Sequence, residues 1–171
     1  MRRRRLRTAA SVLLFVAVVA ATLWRAALRG DAARFPFDAS LTYRVERVID
    51  GDTLLLTTGH RVRLLGVDTP ETGHPDRPPE PFGPEASEFT KRLAEGRPVR
   101  LEFDRERLDR YDRVLAWVFV GDRMLNEELV REGLSKAVLI SPLRPDYRKR
   151  LVTAEKAAAG EGLGVHSLDA D

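Results

Sequence analysis

The 171-residue chain has no cysteine, and that one absence removes disulfide scaffolds, thiolate zinc sites, cysteine nucleophiles and CxxC redox pairs together. A metal held by this chain must be bound through oxygen or histidine. Histidine is scarce too: His60, His74 and His166 are the only three, far apart and without ligand spacing. A histidine metal centre and a histidine-based nucleophilic triad therefore lack material. Excess positive charge is missing from most of the chain. Seven arginines and no acid lie in residues 1–29, which leaves residues 30–171 with 22 basic against 26 acidic groups, a balance of −4 beneath the overall +3. Bulk attraction to nucleic acid is excluded for such a body, so polyanion binding must come from locally clustered arginines or a bound cation. With 43% hydrophobic and 32% charged residues, disorder is excluded as well, and the length suits one globular domain plus an appendage.

The appendage is N-terminal. Arg2, Arg3, Arg4, Arg5 and Arg7 precede residues 8–24, a run without charge that Arg25 closes. A basic stretch followed by an apolar core has the form of an export signal, and the positive-inside rule keeps the arginines in the cytoplasm with the body outside. Val18 with Ala20, or Val19 with Ala21, satisfies small-residue cleavage preferences, while the run lies between a signal core and a spanning helix in length. Residues 1–29 are thus expected to be a signal peptide or a membrane anchor, the anchor preferred, with 8–24 in contact with the membrane. Localisation is expected to be extracytoplasmic, tethered by a cytoplasmic N-terminus or secreted after cleavage. Residues 30–42 read as a linker, 43–167 as the domain and 168–171 as a tail.

Within the domain, residues 43–49, 53–57 and 61–67 are short β-type runs joined by Asp50-Gly51-Asp52 and Thr58-Gly59-His60, as in a meander. Five prolines within 73–84 (Pro75, Pro78, Pro79, Pro81, Pro84) mark a loop. A helix is predicted over 84–95, with Ala86, Phe89, Leu93 and Ala94 on one side, Pro84 in its first turn and Gly96 at its stop. Strands follow at 99–103 and 114–120, then helices at 124–131 and 146–159. Three strands, a helix, two strands and two helices define an α+β protein. Five short strands close most economically as a small barrel, which leaves no exposed edge.

Charge concentrates at three turns: Asp50-Gly51-Asp52-Thr53, the stretch from Arg63 through Asp68 to Glu71, and Asp109-Arg110-Tyr111-Asp112-Arg113. Singly, each is also what an ordinary turn or a solvated strand face offers. Jointly they supply what phosphoryl chemistry needs. Asp52 and Asp68 are hard oxygen donors for a divalent cation such as Ca²⁺, Glu71 lies three residues beyond, and Arg63 and Arg113 can stabilise charge on a pentacoordinate phosphorus. A haloacid-dehalogenase-type phosphatase also places DxD after an apolar strand. Its pattern wants Thr where this chain has Leu54, and no doubly wound body follows.

From about Tyr43 to Ser167 the chain resembles the staphylococcal nuclease (thermonuclease) family, in VIDGDT (48–53), RLLGVDTPET (63–72), FGPEASEFTK (82–91), VRLEFD (99–104), DRYDRVLAWVF (109–119) and NEELVREGLSK (126–136). The resemblance implies a five-stranded OB-fold barrel with three helices, and Ca²⁺-dependent hydrolysis of single-stranded or locally unpaired DNA and RNA that leaves 3′-phosphate ends. It implies that Asp52 and Asp68 ligate the calcium with the Thr69 carbonyl, and that Asp50 orders metal-bound water. Glu71 matches the general base, Arg63 and Arg113 the phosphate clamps, and Arg110 and Tyr111 substrate-binding positions. A monomer is expected. The chain departs from the family at Asp112, where the motif commonly has glycine, and at Leu139 and Ser141, where nucleotide-packing aromatics are missing. A carboxylate beside Arg113 is expected to pair with it, and base stacking is expected to be weaker. The other reading is a noncatalytic tethered binding module on the same fold; such modules usually lose the acids and arginines that this chain keeps.

Overall fold

The computed structural model describes residues 35–73, 77–140 and 142–169. The described residues from 38 onward form one compact unit; the expected signal or anchor lies outside the described residues, as do His74 and Ser141. Among the described residues no helix is long and apolar enough to cross a membrane.

The barrel is built from β1 (Thr42–Asp50), β2 (Thr53–Leu56), β3 (Arg61–Leu64), β5 (Pro98–Glu102) and β6 (Val114–Val120). Strands β1, β2 and β3 are the expected antiparallel meander. The fourth strand of the barrel does not continue it. Instead β5 returns to pair with the first residues of β1, through Thr42↔Arg100 and Arg44↔Pro98, and then with β6. Parallel pairing of β6 with β3, through Val62↔Val114 and Leu64↔Ala116, closes the barrel. One long strand serves two neighbours because β1 carries register shifts between Val45 and Arg47 and between Val48 and Asp50, and bulges bend a strand enough to turn a barrel corner. A side chain fills the gap in the ladder there: Glu95 Oε2 accepts the Val48 N–H at 2.8 Å. Alternation along β3 sends Val62 and Leu64 into the core and leaves Arg63 facing away. In contrast β6, bordered by β3, β5 and a two-residue β7 (Arg123–Met124), is buried along nearly its whole length.

The third strand ends earlier than the sequence pattern indicates. Gly66 has φ +72°, a left-handed conformation that glycine adopts freely, and a Cβ at this position would stand 2.5 Å from Leu151 Cδ1. Beyond this turn, β4 (Val67–Asp68) pairs not with the barrel but with β8 (Lys136–Ala137).

Helix α1 (Gly83–Ala94) buries Ala86, Thr90 and Ala94, a narrow stripe of small residues four apart, while Phe89 and Leu93 are only half-buried. Small side chains let the helix lie close to β1. Helix α2 (Leu125–Arg131) is buried at its first six positions; its Asn126 accepts the Val118 N–H at 2.9 Å and donates to the Leu65 carbonyl at 2.8 Å, so a fully buried amide finds partners on the barrel. Helix α3 (Pro145–Gly160) packs on α2 and buries Tyr147, Leu151, Ala154 and Ala158, with Tyr147 set against the rings of Trp117 and Phe119 on β6, and Arg150 of α3 pairs with the buried Glu127 of α2. A 3₁₀ turn at Gly164–Asp169 follows.

Candidate active site

Each of the three charged turns leaves a strand end on the same side of the barrel. The β1–β2 hairpin closes with the pair Asp50↔Thr53, which leaves Gly51 and Asp52 as its tip. Asp52 is only 5% exposed, and its carboxylate accepts three hydrogen bonds. Oδ1 accepts from the Thr53 hydroxyl at 3.1 Å, and Oδ2 accepts from the Thr69 N–H at 2.9 Å and its hydroxyl at 3.2 Å. The tip is tied to α1 by the buried Thr90 hydroxyl, which donates to the Gly51 carbonyl at 2.7 Å. Behind the tip, Asp50 Oδ1 accepts the Asp52 N–H at 3.1 Å. Burial raises the Asp50 carboxyl above its ordinary value, against the opposing pull of Thr53 and the two arginines.

Asp68 is held differently. Its side chain is 70% exposed and meets Arg63, 2.5 Å from Nη2 to Oδ1. Its backbone carries the constraint: Asp68 pairs with Lys136 across the β4–β8 ladder, and its N–H donates to Ser135 Oγ at 2.9 Å.

Glu71 stands exposed on the next turn of chain. Its N–H donates to Glu80 Oε2 and its carbonyl accepts the Glu80 N–H, both at 3.0 Å. The first residue of α1 lies directly beneath, since a Cβ on Gly83 would stand 2.2 Å from the Glu71 carbonyl oxygen.

From β3, Arg63 reaches both carboxylates, with Nη1 on Asp52 Oδ2 and Nη2 on Asp68 Oδ1. Burial pulls its guanidinium below the ordinary value; Asp68 opposes that pull and Arg113 adds to it. Arg113 enters from the 109–113 turn. Asp109 organises that turn, accepting the Tyr111 N–H at 2.8 Å and the Arg113 N–H at 3.0 Å on Oδ1, and Arg113 Nε at 2.7 Å on Oδ2. Burial pushes the Asp109 carboxyl up, but these hydrogen bonds outweigh it and hold the group below its ordinary range. The Tyr111 ring is 64% exposed and carries the Arg110 and Arg113 guanidinium carbons 4.7 and 5.4 Å from its centroid.

A cleft of about 200 Å³ gathers these groups. All seven residues expected as ligands, base, clamps or water-ordering group line it: Asp50, Asp52, Arg63, Asp68, Thr69, Glu71 and Arg113. Thr53 and Pro70 complete the wall. Arg110 and Tyr111 lie on the exposed turn that delivers Arg113 rather than in the wall. Sequence reasoning gave no role to Asp109, Ser135, Glu80 or the Thr53 hydroxyl. Asp109 was visible as the first acid of a charged turn, since an Asp that bonds backbone two residues on is a known turn former. Ser135, 67 residues from its partner, left no local signal.

The donor set fits a hard divalent cation. Two carboxylates from different strands converge on one guanidinium, so both are within reach of a single centre of positive charge. Among the described residues no group of three or more histidine or acidic side chains is placed to hold a metal.

A closed barrel with paired carboxylates, a third acid and two guanidiniums at one mouth has the donor and acceptor groups that phosphoryl chemistry uses. Residues 61–167 match the family model described as staphylococcal nuclease homologue, and the chain belongs to the staphylococcal nuclease family. It is 47% identical over 120 residues to the thermonuclease of Staphylococcus hyicus, covering 68% of this chain and 70% of that protein. With the thermonuclease of Staphylococcus intermedius it shares 41% identity over 162 residues, 90% of this chain and 94% of that one. Endonuclease YncB of Bacillus subtilis (strain 168) is 35% identical over 127 residues, 72% of this chain and 60% of its own length.

Proposed function

We propose that this protein is a Ca²⁺-dependent nuclease that hydrolyses phosphodiester bonds of DNA and RNA and leaves 3′-phosphate ends. The observation that carries the reading is the convergence of Asp52 and Asp68 on Arg63 inside a cleft that also holds Glu71 and Arg113. Family membership supports it, together with relatives named thermonuclease and endonuclease.

In this reading Asp52, Asp68 and the Thr69 carbonyl hold the cation. A bound calcium supplies Lewis-acid polarisation of a phosphate oxygen and neutralises developing charge. Arg63 and Arg113 bind the remaining phosphate oxygens and stabilise the pentacoordinate transition state, where the extra negative charge appears. Glu71, with its backbone fixed and its carboxylate exposed, accepts the proton of the attacking water. Water adds to phosphorus as its proton passes to Glu71, the P–O5′ bond breaks, and the leaving oxygen takes a proton from solvent water to depart as a 5′-hydroxyl. Asp50 orders water at the cation. Arg110 and Tyr111 contact the substrate chain outside the cleft, and the protein works as a monomer on unpaired strands.

Hydrolysis of single-stranded DNA in calcium, and its loss with chelator, tests the reading. Glu71→Gln should lower kcat by roughly 10² to 10⁴ with calcium affinity retained, whereas Asp52→Asn should weaken calcium binding. Magnesium turnover equal to that in calcium, or rescue of Glu71→Gln by excess calcium, would overturn it. We also place residues 43–167 outside the cytoplasmic membrane, tethered through 8–24, because arginines precede an uncharged run; protease added to intact spheroplasts should remove the domain.

A further inference from the structure

The two carboxylates assigned to the cation are constrained in opposite ways. Asp52 is buried and its oxygens take hydrogen bonds from Thr53 and Thr69, so its side chain is set before any ligand arrives. Asp68 exposes its side chain, and its position depends on its backbone. That backbone belongs to a ladder of two residues paired with two, too short to be stable alone. Ser135 immediately precedes the ladder strand β8 and is fully buried. Its hydroxyl oxygen accepts the Asp68 N–H at 2.9 Å and lies 3.0 Å from the Asp68 carbonyl and 2.8 Å from the Lys136 carbonyl. One hydroxyl can accept from the first while donating to either of the others. The side chain thus adds a rung to the ladder.

The same contact reaches Thr69, the residue that carries the third oxygen donor, through the peptide that precedes it. The peptide linking Asp68 to Thr69 has its carbonyl against Ser135 Oγ and its N–H on Asp52 Oδ2 at 2.9 Å. Its plane is pinned at one end by a residue that follows α2 and at the other by the opposing carboxylate.

We propose that Ser135 is a positioning residue for the cation site, fixing the Asp68–Thr69 peptide so that the Asp68 carboxylate and the Thr69 carbonyl are held ready for a divalent cation. The proposal rests on the nuclease reading for the identity of the cation, but the pinning of the peptide does not. Groups that orient metal ligands without touching the metal change affinity by roughly 10- to 100-fold when removed.

Two measurements on the full chain test it. In Ser135→Ala, the calcium dissociation constant, measured by calorimetric titration with calcium chloride and no substrate, should rise about tenfold. The kcat at saturating calcium should stay within threefold of the parent, because no group that touches substrate has changed. Amide exchange at Asp68 and Thr69 should accelerate while that of Leu56 in the barrel does not. Ser135→Cys keeps the size with a weak hydrogen-bonding group and should show the same changes, which covers failure of the alanine variant to fold. An unchanged calcium constant, or exchange that accelerates equally throughout the barrel, would overturn the proposal. A parent protein that neither binds calcium nor cleaves DNA overturns the nuclease reading instead, and the exchange result still decides whether Ser135 holds the peptide.

Discussion

Asp112 shows how a single residue can break a family's pattern without breaking the turn. Its φ is +57°, in the left-handed region that costs most residues about 1–2 kcal/mol and that Asp enters more readily than most. The sequence reading expected it to pair with Arg113. Asp109 holds Arg113 with an ion pair and three hydrogen bonds onto the same turn, and the left-handed φ of Asp112 is a strain that glycine does not carry. Asp112→Gly is therefore expected to stabilise the protein by about 0.5–1 kcal/mol in urea unfolding. It should raise kcat/KM by about twofold, through removal of a negative charge beside the cleft. A fall in either quantity with the fold intact would give Asp112 a positive role. Asp109→Asn retains an oxygen for the two backbone N–H groups but removes the charge facing Arg113 Nε. The expected result is a kcat/KM lower by roughly tenfold and a stability loss of about 1 kcal/mol; kcat/KM equal to the parent's would mean that Arg113 needs no such partner.

At the scale of elements, what the sequence made legible was whatever repeats with a period or ends on a breaker. The five barrel strands and three helices were visible for that reason, and so was the start of α1 at the Gly83-Pro84 step. The end of β3 was not, because Leu64-Leu65-Gly66-Val67 continues an apolar run, and the turn shows only in the positive φ of Gly66 and the crowding of that position by Leu151, Trp117 and Leu143. Two-residue strands such as β4 and β8 carry no period at all, which hid the ladder that sets Asp68. The docking of α3 was legible as a helix but not as a charged joint. Tyr147 donates to Glu102 Oε2 at 2.6 Å, and Arg144 Nη1 donates to the same oxygen at 2.8 Å. Burial and the neighbouring Glu102 push the Tyr147 hydroxyl up to about 12. Burial raises Glu102, but its bonds to Tyr147 and Arg100 outweigh that and hold it below its ordinary 4.5. Glu102 then contributes stability that is complete above pH 4.5 and lost as pH falls through its lower folded value. Tyr147 contributes stability that is complete below pH 10 and lost as pH rises toward 12. Tyr147→Phe should cost about 1 kcal/mol at neutral pH, and its melting temperature should converge on the parent's between pH 10 and 12. A constant gap across that range would mean that the hydroxyl does not couple α3 to the barrel.

Across the whole molecule, the charge pattern separates binding from bulk attraction. The charges that line the cleft are up to 63 residues apart, from Asp50 to Arg113, so the sequence could show that acids and arginines were present in the right ratio, but only closure of the barrel shows that they meet. Arg63 and Arg113 line the cleft, and Arg110 flanks it on the exposed Tyr111 turn. The residues from 30 onward, this cluster included, carry a net −4, and many of their arginines are committed to acids: Arg131 to Glu127 and Glu128, Arg150 to Glu127, Arg123 to Glu128 and Arg144 to Glu102 and Asp146. In the proposed reading a polyanion would be met by two or three guanidiniums and a bound cation rather than by a basic surface. Each phosphate neutralised on a single strand contributes about −0.7 to the slope of log affinity against log salt concentration, so two or three contacts predict a slope near −2. The quantity to measure is the KM for single-stranded DNA over a range of sodium chloride at fixed saturating calcium. A slope of about −4 or steeper would require a wider basic track, and Arg110→Ala should remove about 0.7 from the slope if that residue contacts a phosphate.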